Sequence, residues 1–198
     1  MSVERFPIVY LTGAPATGKS TVCSELSKQL PELLVFSYSA ELRKYAERRT
    51  GQSMSEDDIR RLSGVAITPE DVQGLDVELA ELAARRRDAG PMIIDSHAVT
   101  KEVYGFRVTA FDTATLSAVN PDCIVCLYTL PEVACQRIAS DPRGRPQISA
   151  FEAGMHTQLQ CSVAAQYGVL LGKPVYLVDS SEPLERVVAH VAAKARLI

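Results

Sequence analysis

Gly13-Ala14-Pro15-Ala16-Thr17-Gly18-Lys19-Ser20 has the spacing G-x-x-x-x-G-K-[ST], the pattern of a phosphate cradle. The glycines let the loop curl until backbone N–H groups point inward at phosphate oxygens. Lys19 supplies a point charge for β- and γ-phosphates and is expected to stand exposed in an open loop. The Ser20 hydroxyl can bind Mg²⁺. A helix starting near Lys19 would aim its positive end at the same anion. The spacing predicts nucleotide binding. Pro91-Met92-Ile93-Ile94-Asp95 reads as a strand ending on an acid. Ligands of open parallel sheets bind at that end of a strand. Asp95 would hold Mg²⁺ beside Ser20; its alternative role is to cap the next turn.

Further side chains could hold a phosphate acceptor or act on the transferring group. Ser39, Arg43 and Arg60 lie between the second and third candidate strands, and both arginines could clamp an anion in bidentate fashion. The other reading is an amphipathic helix pair with solvated arginines, Arg61 among them. His97, Lys101 and Arg107 come after Asp95 in what reads as a loop. His97 could orient a substrate or bond to backbone, and the two cations could bind an acceptor or simply face water. Arg137, Arg143 and Arg145 flank or occupy the turn-rich segment Asp141-Pro142-Arg143-Gly144-Arg145-Pro146-Gln147. Positioned arginines stabilise the charge that builds on a transferring phosphoryl group, so this segment reads as a lid.

These residues need a scaffold, and the pattern supplies one. Apolar runs at 6–12, 33–37, 91–95, 122–128 and 174–179 alternate with helical patterns, the mark of a parallel α/β sheet covered on both faces. Thr68-Pro69-Glu70-Asp71 reads as a helix start, with Gly90 as its stop, and Ser55-Glu56-Asp57-Asp58 as a shorter one. Ser149-Ala150-Phe151-Glu152 is a capping box for a helix running to about Leu171. Arg85-Arg86-Arg87 reads as a solvated last turn at the negative end of its helix.

The chain has 198 residues and a net charge of −3. That length predicts one domain, with an acceptor-binding segment at about 36–67 and a lid at about 141–148. The acidic balance argues against a dedicated nucleic-acid binder. No apolar run is long enough to span a bilayer, and no signal-peptide pattern opens the chain. A cytoplasmic location is expected, and a homo-oligomer is compatible. Among the five cysteines, Cys123 and Cys126 form a C-x-x-C within a strand pattern. Their side chains would face opposite ways, which favours packing over metal or redox chemistry.

The chain resembles adenylate kinases of the archaeal type and related P-loop nucleoside-monophosphate kinases. Four stretches carry the resemblance, in order along nearly the whole chain. They are Leu11-Thr12-Gly13 through Lys19-Ser20-Thr21, Ile94-Asp95-Ser96-His97, Asn120-Pro121-Asp122 through Val125, and Pro131-Glu132 with Arg137, an arginine-bearing lid and a long helix ending Tyr167-Gly168-Val169-Leu170-Leu171-Gly172. The resemblance implies a five-stranded sheet in order 2-3-1-4-5, ATP held by Gly13 through Thr21, and a monophosphate near strands two and three. It places Arg137 near the adenine or the phosphates. The helix after the lid usually offers an arginine to the transferring phosphate; here only His156 is basic in that stretch. The acceptor region Ser37-Tyr38-Ser39-Ala40 also departs from the family pattern. The implied activity is transfer of the γ-phosphate of ATP to a small acceptor, most simply a nucleoside monophosphate. The alternatives are a kinase for another metabolite, or an ATP-binding assembly switch with weak ATPase activity.

Overall fold

The computed structural model describes residues 5–51, 67–141 and 146–198. Its centre is a parallel sheet of five strands: β1 (Ile8–Gly13), β2 (Leu34–Ser37), β3 (Met92–Asp95), β6 (Cys123–Tyr128) and β7 (Val175–Asp179). They lie side by side in the order β2-β3-β1-β6-β7. This is the expected order; the numbers differ because two further strands precede β6. Those strands, β4 (Val99–Glu102) and β5 (Gly105–Val108), pair antiparallel as a separate hairpin. They overturn the reading of residues 96–108 as a loop. Val99, Thr100, Phe106 and Val108 supply β-branched and aromatic positions to two short runs, and the tight Val103-Tyr104 turn joins them.

Alternation along the central strands feeds two cores. Ile8 and Tyr10 of β1, Met92 and Ile94 of β3, and Ile124 and Cys126 of β6 face one side. Val9 and Leu11, Ile93, and Cys123, Val125 and Leu127 face the other. The first face is covered by α3 (Pro69–Ala89), α4 (Thr113–Val119) and α6 (Ala150–Leu171), through Leu75, Leu79, Leu116, Val163 and Tyr167. The second is covered by α1 (Lys19–Gln29) and α7 (Leu184–Lys194), through Val22, Leu26, Val187 and Val191. Each fully buried Leu, Ile or Val contributes about 1.5–3 kcal/mol, so the strands that carry the site are its most firmly held part. Two further helices, α2 (Tyr38–Thr50) and α5 (Pro131–Ala139), come after β2 and β6.

The two C-x-x-C residues do not face each other. Cys123 and Cys126 are buried on opposite faces, and burial pushes the Cys123 thiol up to about 12.

The arginine run is structural. Arg85 is exposed, but the Arg86 guanidinium donates to the Glu32 carbonyl at 2.6 Å and the Pro91 carbonyl at 3.1 Å. Arg87 is 14 % exposed and bonds to Asp122 Oδ2 at 2.9 Å. Asp122 Oδ2 also accepts from the Ile8 amide at 2.8 Å, so Asn120-Pro121-Asp122 is a clamp that ties β6 to the start of β1. The expectation of a solvated turn fails for Arg86 and Arg87 because their acceptors come from strand ends that lie beside this helix only after folding.

The capping box expected at Ser149 forms with Glu152 on α6, and the helix start at Thr68 proves to be a second one, closed with Asp71 on α3. The Asp71 side chain is fully buried and meets Arg49 of α2 at 2.6 Å. Burial pushes the Asp71 carboxyl up, but the Arg49 hydrogen bond and the Thr68 amide outweigh it and hold the group below its usual value. A depressed carboxyl stabilises the fold above its unfolded pKa and loses that effect as pH falls through the folded one. Asp71→Ala is therefore expected to cost about 1–2 kcal/mol at neutral pH and less in acid. Urea melts at pH 7 and pH 3 would check this; an equal loss at both would contradict it.

Candidate functional site

The loop from Gly13 to Gly18 joins β1 to α1 and is held by its own backbone. The Thr17 hydroxyl is buried and donates to the Ala14 carbonyl at 2.8 Å. Gly13 runs at φ +150, and a Cβ there would lie 2.5 Å from the Leu127 carbonyl oxygen and 2.7 Å from Thr17 Oγ1. Only glycine lets β6 and the loop approach this closely. Gly18 is left-handed at φ +83 and faces open space. It caps α1 without a side-chain bond, and no acid stands in the first turn of that helix. The first amides of α1 are thus left for an external anion.

Lys19 is half-buried and folds back over the loop, donating to the Gly13 carbonyl at 2.6 Å. This corrects the expectation of a lysine exposed in an open loop: the curl of the backbone places an acceptor under its ammonium. Ser20 and Thr21 are exposed. Asp95 ends β3 in register with Leu11 of β1 and Ser37 of β2. Burial pushes its carboxyl up, and the Lys19 ammonium pulls it down. A carboxylate whose burial is only partly offset by one cation suits a divalent ion beside it.

A cavity of about 540 Å³ opens beside the loop on its β6–β7 side. Pro15 through Val22 line it, together with Arg137, Ser140 and Asp141 from α5 and its end, and Ser180, Glu182, Leu184 and Val187 after β7. The Arg137 guanidinium donates to the Ala16 carbonyl at 3.2 Å and the Ser180 carbonyl at 2.8 Å. It therefore braces the cradle against the loop after β7, at the wall of the cavity. The cavity's size and place fit the nucleoside end of a nucleotide whose phosphates lie on the loop.

The remaining cations lie on the other half of the sheet. Ser39 and Arg43 are on α2 after β2, Ser39 exposed and Arg43 half-buried. The buried Arg43 Nε makes no hydrogen bond within the described residues. His97 is exposed just past β3. Lys101 and Arg107 are on the hairpin, and both face acids. Lys101 meets Glu152 at 3.3 Å and Arg107 meets Glu102 at 3.1 Å. Arg60, Arg61, Arg143 and Arg145, the short helix expected from Ser55, and most of the lid segment lie outside the described residues.

Three groups join these parts: Gln160 and Asp76, which the sequence does not single out, and His156, which it marks only as the basic residue after the lid. Gln160 is buried on α6; its amide donates to Thr12 Oγ1 at 2.7 Å and accepts from the Val99 amide at 3.1 Å. His156, one turn earlier, hydrogen-bonds the Val99 carbonyl at 2.9 Å and meets the Phe106 ring edge-on. Burial holds its imidazole below the usual range. In place of the arginine that the resemblance leads one to expect, this helix offers His156 and Gln160, two uncharged side chains that fasten the hairpin to the root of the cradle. Asp76 of α3 accepts from Tyr38 at 2.6 Å and Thr115 at 3.2 Å. The available signal was the spacing of His156 and Gln160, polar residues four apart on the buried face of an apolar helix.

Known proteins resemble this chain in sequence and in fold. A family model described as an AAA domain matches residues 12–152, from the end of β1 through the first turn of α6. The adenylate kinase of Pyrobaculum aerophilum is 28% identical over 151 residues, covering 76% of this chain and 73% of its own. An adenylate kinase homolog of Methanothermobacter thermautotrophicus is 25% identical over 177 residues, covering 89% and 86%. Among solved structures, the shikimate kinase of Bacteroides thetaiotaomicron superposes with a TM-score of 0.57 at 16% identity, covering 96% of this chain and 99% of its own. That likeness is one of fold. The matched segment carries the cradle, the Asp95 strand end and the hairpin together, so the chain belongs to the AAA domain family of P-loop proteins and is an adenylate kinase-like, ATP-dependent kinase.

Proposed function

We propose that this kinase moves the γ-phosphate of ATP, bound with Mg²⁺, to a nucleoside monophosphate. One observation carries the reading. The donor cavity is built from the segments C-terminal to β1, β6 and β7. The cations Arg43, Lys101 and Arg107 stand on the segments C-terminal to β2 and β3. The cradle lies between the two halves, so a phosphate held there faces a nucleoside pocket on one side and cations on the other. The names of the two relatives support the same acceptor class.

In this reading Lys19 leaves the Gly13 carbonyl for the β- and γ-phosphates, and the loop amides hold the same oxygens. Ser20 and Asp95 would hold Mg²⁺, which supplies charge to the phosphate oxygens. Arg137 keeps the cradle closed against the loop after β7. Arg143 and Arg145 are assigned, on sequence grounds, to a lid at about 141–148 that meets the phosphates on closure. Arg43, Arg60, Lys101 and Arg107, with Ser39 and His97, form the acceptor side, on an acceptor segment at about 36–67 and the hairpin. A small dianion needs two or three charge-assisted contacts there.

Incubation with γ-labelled ATP, Mg²⁺ and a panel of monophosphates, nucleosides and other metabolites tests the acceptor. Label is expected on a nucleoside monophosphate, with adenosine and cytidine monophosphates first. Replacing Arg43 and Lys101 together with Ala should raise the Michaelis constant of that acceptor about tenfold or more, the scale of one lost charged hydrogen bond. The Michaelis constant for ATP should change little. An equal effect on both substrates would remove these residues from the acceptor side.

A second reading, a kinase for a metabolite without a phosphate, has its own support. Lys101 and Arg107 already face Glu152 and Glu102, which leaves less positive charge for an anionic acceptor. Label on an unphosphorylated metabolite and on none of the monophosphates would select it.

A further inference from the structure

Cys126 and Cys161 belong to no motif that the activity uses, yet their sulfurs lie 3.6 Å apart. That contact joins β6 to α6. Cys126 is buried and Cys161 is half-buried, so an oxidant reaches the pair from the Cys161 side. The sulfur–sulfur contact holds the Cys161 thiol below its usual range while raising Cys126. The residue before Cys161 is Gln160, whose amide holds Thr12 at the root of the cradle. Thr12 in turn lies in register with Cys126 across the β1–β6 pair. The two sulfurs therefore sit beside the root of the nucleotide loop.

We propose that Cys126 and Cys161 form a redox-modification site, in which a low-molecular-weight disulfide oxidises them to an intrachain disulfide that reversibly weakens ATP binding. The Cys161 thiolate attacks one sulfur of the oxidant, forming a mixed disulfide and releasing one small thiolate. The Cys126 sulfur then attacks Cys161, forming the intrachain bond and releasing the second small thiolate. The two protein thiols lose two electrons and two protons, and the oxidant leaves as two thiols. A disulfide requires sulfurs about 2.05 Å apart, well inside the present contact. Closing that gap moves α6 against β6 and pulls on the bond from Gln160 to Thr12, next to the Gly13 carbonyl that positions Lys19.

The test treats the wild type, Cys126→Ser and Cys161→Ser with oxidised glutathione, blocks the remaining thiols and maps peptides without reduction. A peptide pair joined through Cys126 and Cys161 is expected in the wild type alone, and dithiothreitol should remove it. Calorimetric titration with ATP, without any acceptor, should give an affinity several-fold weaker in the oxidised wild type and restored on reduction. The absence of the joined pair, a bond through Cys23 or Cys135 instead, or glutathione retained on Cys161 would overturn the site. An unchanged ATP affinity in crosslinked protein would overturn its effect. The peptide map of the wild type needs neither variant, so it decides the bond even if a serine substitution fails to fold.

Discussion

Lys19→Ala is expected to lower turnover about a thousandfold, the upper scale for removing one preorganised charge partner of a reacting group, while the protein stays folded. The ammonium is held over the loop by a bond to the Gly13 carbonyl. Losing a hydrogen bond from a charged donor costs about 1.5–3 kcal/mol of stability at most, within reach of a sheet whose strands are buried on both faces. Among the described residues, the other basic side chain lining the cavity beside the cradle is Arg137, which is already engaged with Ala16 and Ser180. Phosphoryl-transfer assays beside thermal melts would check this. Near-normal turnover in a folded Lys19→Ala protein would remove the cradle from the chemistry.

Asp95→Asn is expected to lower turnover about a hundredfold or more and to blunt the response to Mg²⁺. The same substitution should raise the melting temperature. Burial holds the Asp95 carboxyl above its usual value, with Lys19 only partly opposing it. For a carboxyl raised on folding the sign is opposite to that of Asp71: the charged form disfavours the fold, and stability falls as pH rises through the interval between the unfolded and folded values. A neutral amide of the same shape escapes that cost at neutral pH. Lower activity with higher stability is the signature of a group kept for function. Loss of stability in Asp95→Asn, with unchanged rate and Mg²⁺ response, would make Asp95 a turn residue only.

Parts of the site were legible because they are local. The cradle needs Gly13, Gly18, Lys19 and Ser20 at set distances along one turn, and the chain spells that spacing out. The strand ending at Asp95 was legible from an apolar run closed by an acid, the helix start at Thr68 from Pro at the next position, and the capping box at Ser149 from residues three apart. The hairpin was less legible. Its strands are four residues each and carry Lys, Glu and Arg among the apolar positions, so period-2 alternation is too brief to stand out. The roles of Lys101 and Arg107 were harder still, since the acids they face depend on the hairpin pairing and on where α6 begins.

Residue order alone specifies the nucleotide loop and the parallel α/β class, because periodicity, capping and loop spacing act between near neighbours. The strand order came with the family resemblance and not from any local signal. Long-range packing set what these elements hold in common. Gln160 meets Thr12 across 148 positions of chain, Arg87 meets Asp122 across 35, and Cys126 meets Cys161 across 35. Such contacts arise when helices cross back over a sheet and set one residue of each against the other. Their geometry depends on how both cores pack, and no local pattern in the chain records it.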